Sequence, residues 1–195
     1  MIREALKPAN LFTAASLFCG VSAIMVAAGA EAGPGSSPAF FQAAVLIIFA
    51  GIFDGLDGRV ARWTNTASDL GVQLDSLVDV VSFGVAPGVL LYRWGLDAYG
   101  RVGFVVAFLF ILAGVFRLAR FNLRAADPPP LKPKKYNEGL PITCAGGMVA
   151  VLVLHHAHVR ATEVDNTVSV LLLTLMLSYL MISTVGFRTF REFRL

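Results

Sequence analysis

Carboxylate side chains interrupt the second long apolar stretch of this sequence. The segment "DGLDGRVARW", residues 54–63, directly follows the mainly apolar run "FFQAAVLIIFAGIF", residues 40–53. That run is too short to cross a bilayer, which takes ~20 residues, so a spanning helix must continue through the charged segment. At about 100° per residue, five residues of this segment then share one helical face about 140° wide. They are Asp54, Asp57, Gly58, Ala61 and Arg62.

The next apolar window carries a second set of carboxylates. Gly71, Asp75 and Asp79 are spaced i, i+4, i+8, which places them on one face of a helix, and Ser82 falls on the same face. Only residues 64–69 link the two windows, so we expect the two helices to be antiparallel neighbours. The four aspartates should therefore converge at one end of this helix pair.

Four carboxylates gathered at membrane depth repel one another and are costly to desolvate, so they require cations. Oxygen ligands without Cys or His favour Mg²⁺, Mn²⁺ or Ca²⁺. A pair of divalent ions bridged by carboxylates is suited to displacement at phosphorus, because it neutralises phosphate oxygens and stabilises the attacking and leaving groups. Gly58 and Gly71 would leave room for a phosphate or nucleotide near the backbone, and Arg62 would bind a phosphate with two hydrogen bonds.

The composition predicts that the elements carrying these residues lie in a membrane. The chain has 195 residues, of which 56% are hydrophobic and only 15% charged, against roughly 25% charged in soluble domains. We predict an all-α fold, a single domain over residues 1–195, with a retained first helix rather than a cleaved signal peptide. Six windows predict transmembrane helices, near residues 10–29, 39–62, 70–92, 102–121, 140–158 and 167–186.

The distribution of Lys and Arg predicts the orientation, because positive loops stay on the cytoplasmic side. Thirteen of the 16 Lys and Arg fall at one side of the predicted helices, and three, Arg93, Arg101 and Arg160, at the other. Both termini and the aspartates are therefore expected on the cytoplasmic side of a cell (inner) membrane. Topology and anionic headgroups account for the positive charge without a nucleic-acid partner.

The cysteines and histidines favour structural roles. Cys19 and Cys144 lie far apart within apolar windows, so we expect two small buried residues rather than a disulfide or zinc site. The histidines of "LHHAHV", residues 154–159, stand at a predicted helix end, where an interfacial cap is favoured over a metal site.

The carboxylate pattern resembles the signature of the CDP-alcohol phosphotransferases. The matching positions are Asp54, Asp57, Gly58, Ala61, Arg62, Gly71, Asp75 and Asp79, with the eight-residue gap kept between Arg62 and Gly71. The resemblance implies a six-helix, homodimeric membrane enzyme with two divalent cations, Mg²⁺ or Mn²⁺. Such an enzyme moves the phosphatidyl group of a CDP-linked lipid to an alcohol and releases CMP. It also implies that the four aspartates bind metal, that Asp79 is the general base, and that Gly58, Ala61, Arg62 and Gly71 hold the CDP group.

Further stretches are similar to the integral-membrane phosphatidylserine synthases within that family, which implies CDP-diacylglycerol and L-serine as substrates. These are "ANLFTAASLFCG", "LDSLVDVVSFGVAPG", "FRLARFN" and "GLPITCAGG", starting at residues 9, 74, 116 and 139. Asn10 and Thr13 are candidate cytidine contacts. Arg117, Arg120 and Arg124 share one helical face, and arginine fits a carboxylate or a phosphate. The candidate acceptor-binding residues are Arg117, Arg120, Ser82 and Asn122, whereas Arg124 is expected to anchor the helix end.

Two alternatives stay open at this point. Within the enzyme class, glycerol 3-phosphate or inositol phosphate is the alternative acceptor, since either would also bind the arginines. In another class, a cation or proton transporter would use intramembrane carboxylates. A transporter predicts acids spread across the bilayer depth, whereas here four acids lie near one end of two neighbouring helices.

Overall fold

The computed structural model describes residues 8–30, 38–63, 69–126, 136–158 and 167–188. The helices are α1 (Pro8–Gly29), α2 (Pro38–Trp63), α3 (Asp69–Asp79), a π-helical segment (Val80–Val85), α4 (Ala86–Trp94), a 3₁₀ turn (Leu96–Tyr99), α5 (Arg101–Ala126), α6 (Ile142–His158) and α7 (Thr167–Ile182). Two short strands, β1 (Tyr136–Glu138) and β2 (Gly186–Arg188), pair antiparallel. The predicted all-α class is confirmed apart from this two-stranded ribbon.

Helix α2 is not interrupted by its charged segment. It runs from Pro38 to Trp63 and so includes all ten residues from Asp54 onward. Proline is well tolerated at the first helical position because its missing N–H would have no partner there. The predicted continuation through the aspartates is therefore confirmed, and the whole carboxylate face lies on one helix.

The third apolar window forms a single long helical span with a change of pitch. Within Leu70–Trp94, the π-helical segment Val80–Val85 begins directly after Asp79, whereas the sequence predicts an uninterrupted α-helix. Glycines from two other helices approach its backbone closely. A Cβ atom on Gly20 would lie 2.9 Å from the Cα of Ser82, and one on Gly146 would lie 2.9 Å from the carbonyl oxygen of Phe83. Short π-helical insertions of this kind are frequent at functional sites.

Four helical spans are long and apolar enough to cross a membrane: Asn10–Gly29, Pro38–Val60, Leu70–Trp94 and Arg101–Leu123. They indicate a multi-pass membrane protein. Helices α6 and α7 are also apolar but have 17 and 16 residues, a length of about 24–26 Å against the ~30 Å hydrocarbon core. Four of the six predicted membrane spans are thus supported. The two spans predicted for α6 and α7 remain predictions.

The sixth apolar window ends earlier than expected. The sequence predicts a helix to residue 186, but α7 stops at Ile182 and Gly186 already belongs to β2. The chain leaves the helix there because it pairs with the segment before α6. Gly139, at φ +80°, turns that segment in a conformation that favours glycine, and its N–H donates to the carbonyl oxygen of Val185.

Small residues allow the helices to pack closely. Cβ atoms added at four glycines within the bundle would meet neighbouring helices or turns: Gly84, Gly88, Gly103 and Gly114. A Cβ on Gly88 would lie 2.7 Å from Ile111 Cγ1, and one on Gly114 would lie 2.6 Å from Ile142 Cδ1. These contacts lie within one chain and hold α4, α5 and α6 together.

The cysteine prediction is half right. Cys19 is buried in α1, but Cys144 is exposed. Cys144 lies on the outward face of the first turn of α6, while its neighbours Ala145 and Gly146 face the core.

At the far end of the same helix, the ring of His156 packs edge-on against Trp94, with centroids 5.4 Å apart. His158 lies outside the described side chains.

Candidate metal centre and active site

The carboxylates of α2 and α3 converge as the spacing predicts. One carboxylate oxygen from each of Asp54, Asp57 and Asp75 lies within 4.8 Å of the others. Asp57 is buried, with 7% of its surface exposed, whereas Asp54 and Asp75 are half-buried. Three negative groups this close, and partly removed from water, repel one another strongly unless a cation lies among them.

Asp79, the last residue of α3, is outside the set of three carboxylates within 4.8 Å of one another but adjoins it through Asp54. Its side chain lies at hydrogen-bonding distance from that of Asp54. Two carboxylate oxygens tolerate such proximity only with a proton or a cation beside them. In addition, Asp79 Oδ1 is buried and has no hydrogen-bond partner among the described residues. An oxygen-only donor set with a buried acceptor left unsatisfied fits a hard divalent cation such as Mg²⁺ or Mn²⁺. We call these four residues the carboxylate cluster.

Helix α1 closes one side of the carboxylate cluster with polar side chains. Thr13 Oγ1 donates a hydrogen bond of 2.9 Å to Asp57 Oδ2. Asn10, Thr13 and Ser16 are all buried, although they stand in a mainly apolar helix. The sequence predicts Asn10 and Thr13 as nucleotide contacts, whereas the burial of Ser16 and the bond from Thr13 to Asp57 come from the structure alone. The i, i+3, i+6 spacing of these three polar residues was the signal available in the sequence.

Arg117 is the candidate acceptor residue that the structure brings to the carboxylate cluster. Its half-buried guanidinium interacts electrostatically with Asp79 and lies near Cys144 at the start of α6. The same group lies over the ring of Phe121, 5.6 Å from the centroid, which is a cation–π contact. A planar cation next to the carboxylate cluster can bind the carboxylate or phosphate of a second substrate.

Arg120 points elsewhere. Its guanidinium donates hydrogen bonds to three main-chain carbonyl oxygens, those of Met181 at 3.4 Å, Ile182 at 2.8 Å and Ser183 at 3.3 Å. These carbonyls end α7 and have no helical N–H to accept from. The sequence predicts Arg120 beside Arg117 at the acceptor, whereas in the structure its guanidinium caps the end of the last helix.

Ser82 and Asn122, the other two candidate acceptor residues, both make contacts between helices. Ser82 Oγ donates to the carbonyl oxygen of Ser16 at 3.2 Å, which ties the π-helical segment to α1. Asn122 Nδ2 donates to Ser76 Oγ at 3.0 Å, which ties α5 to α3. Both donors therefore join helices, whereas Arg117 is the one of the four with an electrostatic interaction with Asp79, and the acceptor-binding role of these residues stays a prediction.

The small residues expected to hold the CDP group are described in part. Gly58 is exposed, and a Cβ atom placed on it would have no heavy atom of the described residues within 4 Å outside its own stretch of helix. That open space agrees with a substrate group lying beside α2. Gly71 is half-buried near the start of α3. The side chains of Ala61 and Arg62 lie outside the described part of the chain, as does that of Arg124.

Replacing Arg120 by methionine tests its assigned role. We expect the variant to lose about 1–3 kcal/mol of unfolding free energy, because hydrogen bonds from a charged donor to the end of α7 are removed while the side-chain length is kept. Unfolding in detergent, followed by circular dichroism, measures the change. Arg101→Met is the control, since Arg101 is an exposed residue at the start of the same helix. Unchanged stability combined with a higher KM for the acceptor would instead place Arg120 at the substrate.

Together, the fold and the carboxylate cluster define a multi-pass membrane protein in which two neighbouring helices gather carboxylates that could bind a metal ion. The sequence profile for CDP-alcohol phosphatidyltransferase matches residues 6–185. The chain therefore belongs to the CDP-alcohol phosphatidyltransferase family, a family of enzymes that use divalent cations, and the resemblance seen in the signature is confirmed.

Three curated relatives carry the same name. The chain is 38% identical over 183 residues to the CDP-diacylglycerol–serine O-phosphatidyltransferase of Helicobacter pylori, covering 94% of this chain and 72% of the relative. It is 35% identical over 152 residues to the Bacillus subtilis protein of that name, covering 77% of each chain. The Methanocaldococcus jannaschii protein of that name is 51% identical over 78 residues, covering 40% of this chain and 37% of the relative.

Proposed function

We propose that this chain transfers the phosphatidyl group of CDP-diacylglycerol to the hydroxyl of L-serine and releases CMP. The observation that carries the proposal is the convergence of Asp54, Asp57 and Asp75, with Asp79 against Asp54, on the two helices that hold the family signature. The names of the relatives support serine as the acceptor.

The four aspartates would hold two divalent cations, Mg²⁺ or Mn²⁺. When bound, these ions neutralise diphosphate oxygens and stabilise negative charge on the departing CMP. Asp79 accepts the proton of the serine hydroxyl, and its position at the edge of the carboxylate cluster suits this role because a firmly coordinated carboxylate is a weak base. The serine oxygen attacks the phosphorus that bears diacylglycerol, and the bond from that phosphorus to the CMP oxygen breaks.

The remaining residues orient the two substrates. Arg117 binds the serine carboxylate, and its proximity to Asp79 brings the serine hydroxyl to the base. Gly58, Ala61, Arg62 and Gly71 hold the CDP group, together with Asn10, while the acyl chains remain in the lipid. Beyond the site, we propose a single domain over residues 1–195, a homodimer, and an active site on the cytoplasmic side of a cell (inner) membrane.

The transporter alternative has less support. In the described spans, every acidic side chain belongs to α2 or α3, and the carboxylate cluster occupies one end of this helix pair. An ion pathway would need polar or acidic groups at further depths of the membrane.

An acceptor assay tests the proposal. Purified protein receives CDP-diacylglycerol and Mn²⁺, with L-serine, glycerol 3-phosphate or inositol phosphate added one at a time, and CMP release is measured. We expect release with L-serine alone, abolished by a chelator. Serine methyl ester should react poorly, because it keeps the hydroxyl but lacks the carboxylate that Arg117 binds. Release with a phosphorylated acceptor would contradict the choice of serine, and folded protein that released no CMP with any acceptor would favour the transporter.

A further inference from the structure

A hydroxyl group of α1 reaches the carboxylate cluster from outside the two helices that form it. Thr13 donates its hydrogen bond to Asp57 where both side chains are buried, with 4% and 7% of their surfaces exposed. Asp57 is also the buried member of the three converging carboxylates. Since a buried carboxylate has little water to accept from, its orientation depends on donors that the protein supplies.

Helix α1, which carries this donor, packs closely against α2. Ala23 and Ala27 of α1, and Ala43 and Ala44 of α2, are all at most 1% exposed. Such small side chains let two helices in a membrane approach closely. Threonine is β-branched, so its side chain has few rotamers in a helix. The hydroxyl of Thr13 is therefore held at a defined place relative to Asp57.

From this geometry we infer that Thr13 is a positioning residue that orients the Asp57 carboxylate for cation binding. The inference rests on the proposed function, because it requires the carboxylate cluster to bind a divalent cation. A carboxylate has about four acceptor sites, so one hydrogen bond from Thr13 leaves others to the ion. Residues that hydrogen-bond a metal ligand fix its orientation, and losing one costs about 10–100-fold in metal affinity or activity.

Two variants of Thr13 test the inference on the full chain in detergent. Thr13→Val keeps the shape and removes the donor, and Thr13→Ser keeps the donor. Mn²⁺ binding is measured directly by electron paramagnetic resonance of the free ion. We expect Thr13→Val to raise the Kd for Mn²⁺ by about 10–100-fold and Thr13→Ser to remain near wild type. The Mn²⁺ concentration for half-maximal CMP release should move in parallel, while the KM for CDP-diacylglycerol at saturating Mn²⁺ stays unchanged.

Thr174→Val is the matched control. Thr174 is 0% exposed and donates to the carbonyl oxygen of Val170 at 2.7 Å within α7, so the substitution removes a buried hydroxyl away from the carboxylate cluster. It should leave the Kd for Mn²⁺ unchanged. If Thr13→Val does not fold, Thr13→Ala gives the same comparison without a branched side chain.

The possible results separate the inference from the proposed function. Wild-type affinity for Mn²⁺ in Thr13→Val would overturn the inference. A raised KM for CDP-diacylglycerol with an unchanged Kd for Mn²⁺ would also overturn it, and would assign Thr13 to the nucleotide. Wild-type protein that bound no Mn²⁺ would contradict the proposed metal centre itself, whatever the variants did.

Discussion

Replacing Asp79 by asparagine is expected to lower kcat for CMP release by about 10²–10⁴-fold, the usual contribution of a positioned general base. Asparagine keeps the size of the side chain and one oxygen but cannot take the proton of the serine hydroxyl. Asp79 suits the test because it ends α3 beside Asp54 and has a buried oxygen without a partner among the described residues. Initial rates at saturating serine and Mn²⁺ measure the effect.

The control is Asp97→Asn, which makes the same change in the 3₁₀ turn, outside the carboxylate cluster, and should leave kcat unchanged. A Mn²⁺ titration separates the two roles given to Asp79. If excess Mn²⁺ restores the rate of Asp79→Asn, the residue acts only as a metal ligand. Full activity at ordinary Mn²⁺ would show that neither role is correct.

Replacing Asp75 by asparagine is expected to have opposite effects on activity and on metal-free stability. The variant removes one of three carboxylates whose oxygens lie within 4.8 Å of one another, so it relieves repulsion when no cation is bound. We expect an equal or higher Tm than wild type in the presence of a chelator. Mn²⁺ at about 100 times its Kd should stabilise wild type by about 2.7 kcal/mol, and the variant should lose this gain together with CMP release.

Thermal unfolding with chelator and with Mn²⁺ measures this pair of effects. Asp97→Asn should keep the Mn²⁺-induced rise of wild type, because Asp97 contributes no oxygen to the carboxylate cluster. A lower metal-free Tm in Asp75→Asn would indicate that Asp75 stabilises the fold directly. An undiminished Mn²⁺-induced rise would place the cations elsewhere.

The local periodicity of the sequence was sufficient to predict the carboxylate faces. Successive residues of an α-helix are separated by about 100°, so Asp54 and Asp57 share one face, as do Asp75 and Asp79, whatever the helices contact. The short link after α2 then leaves few arrangements other than antiparallel neighbours. Helix length gave a separate prediction. Helix α2 was expected to continue to its charged end because a shorter helix would not cross the membrane.

Partners distant in sequence were decided by tertiary structure. Arg117 and Arg120 share a helical face and look equivalent in the sequence. However, Arg120 donates hydrogen bonds to the end of α7, 61–63 residues away, whereas Arg117 interacts electrostatically with Asp79. Periodicity shows which side of a helix a residue occupies, but the depth and direction of the neighbouring helix set its partner. A partner distant in sequence also sets the early end of α7, because residues 186–188 leave the helix to pair with residues 136–138.

The sequence by itself therefore determined the membrane class, the two carboxylate faces and the family, because each depends on composition or on spacing within one or two helices. Only the tertiary structure showed that Thr13 holds Asp57 and that the helical pitch changes directly after Asp79. Both features arise where α1 packs against the other helices. The bond from Thr13 joins residues 44 positions apart, and glycines of two different helices approach the π-helical segment. Contacts of this kind depend on how whole helices pack, which the pattern of a single helix does not specify.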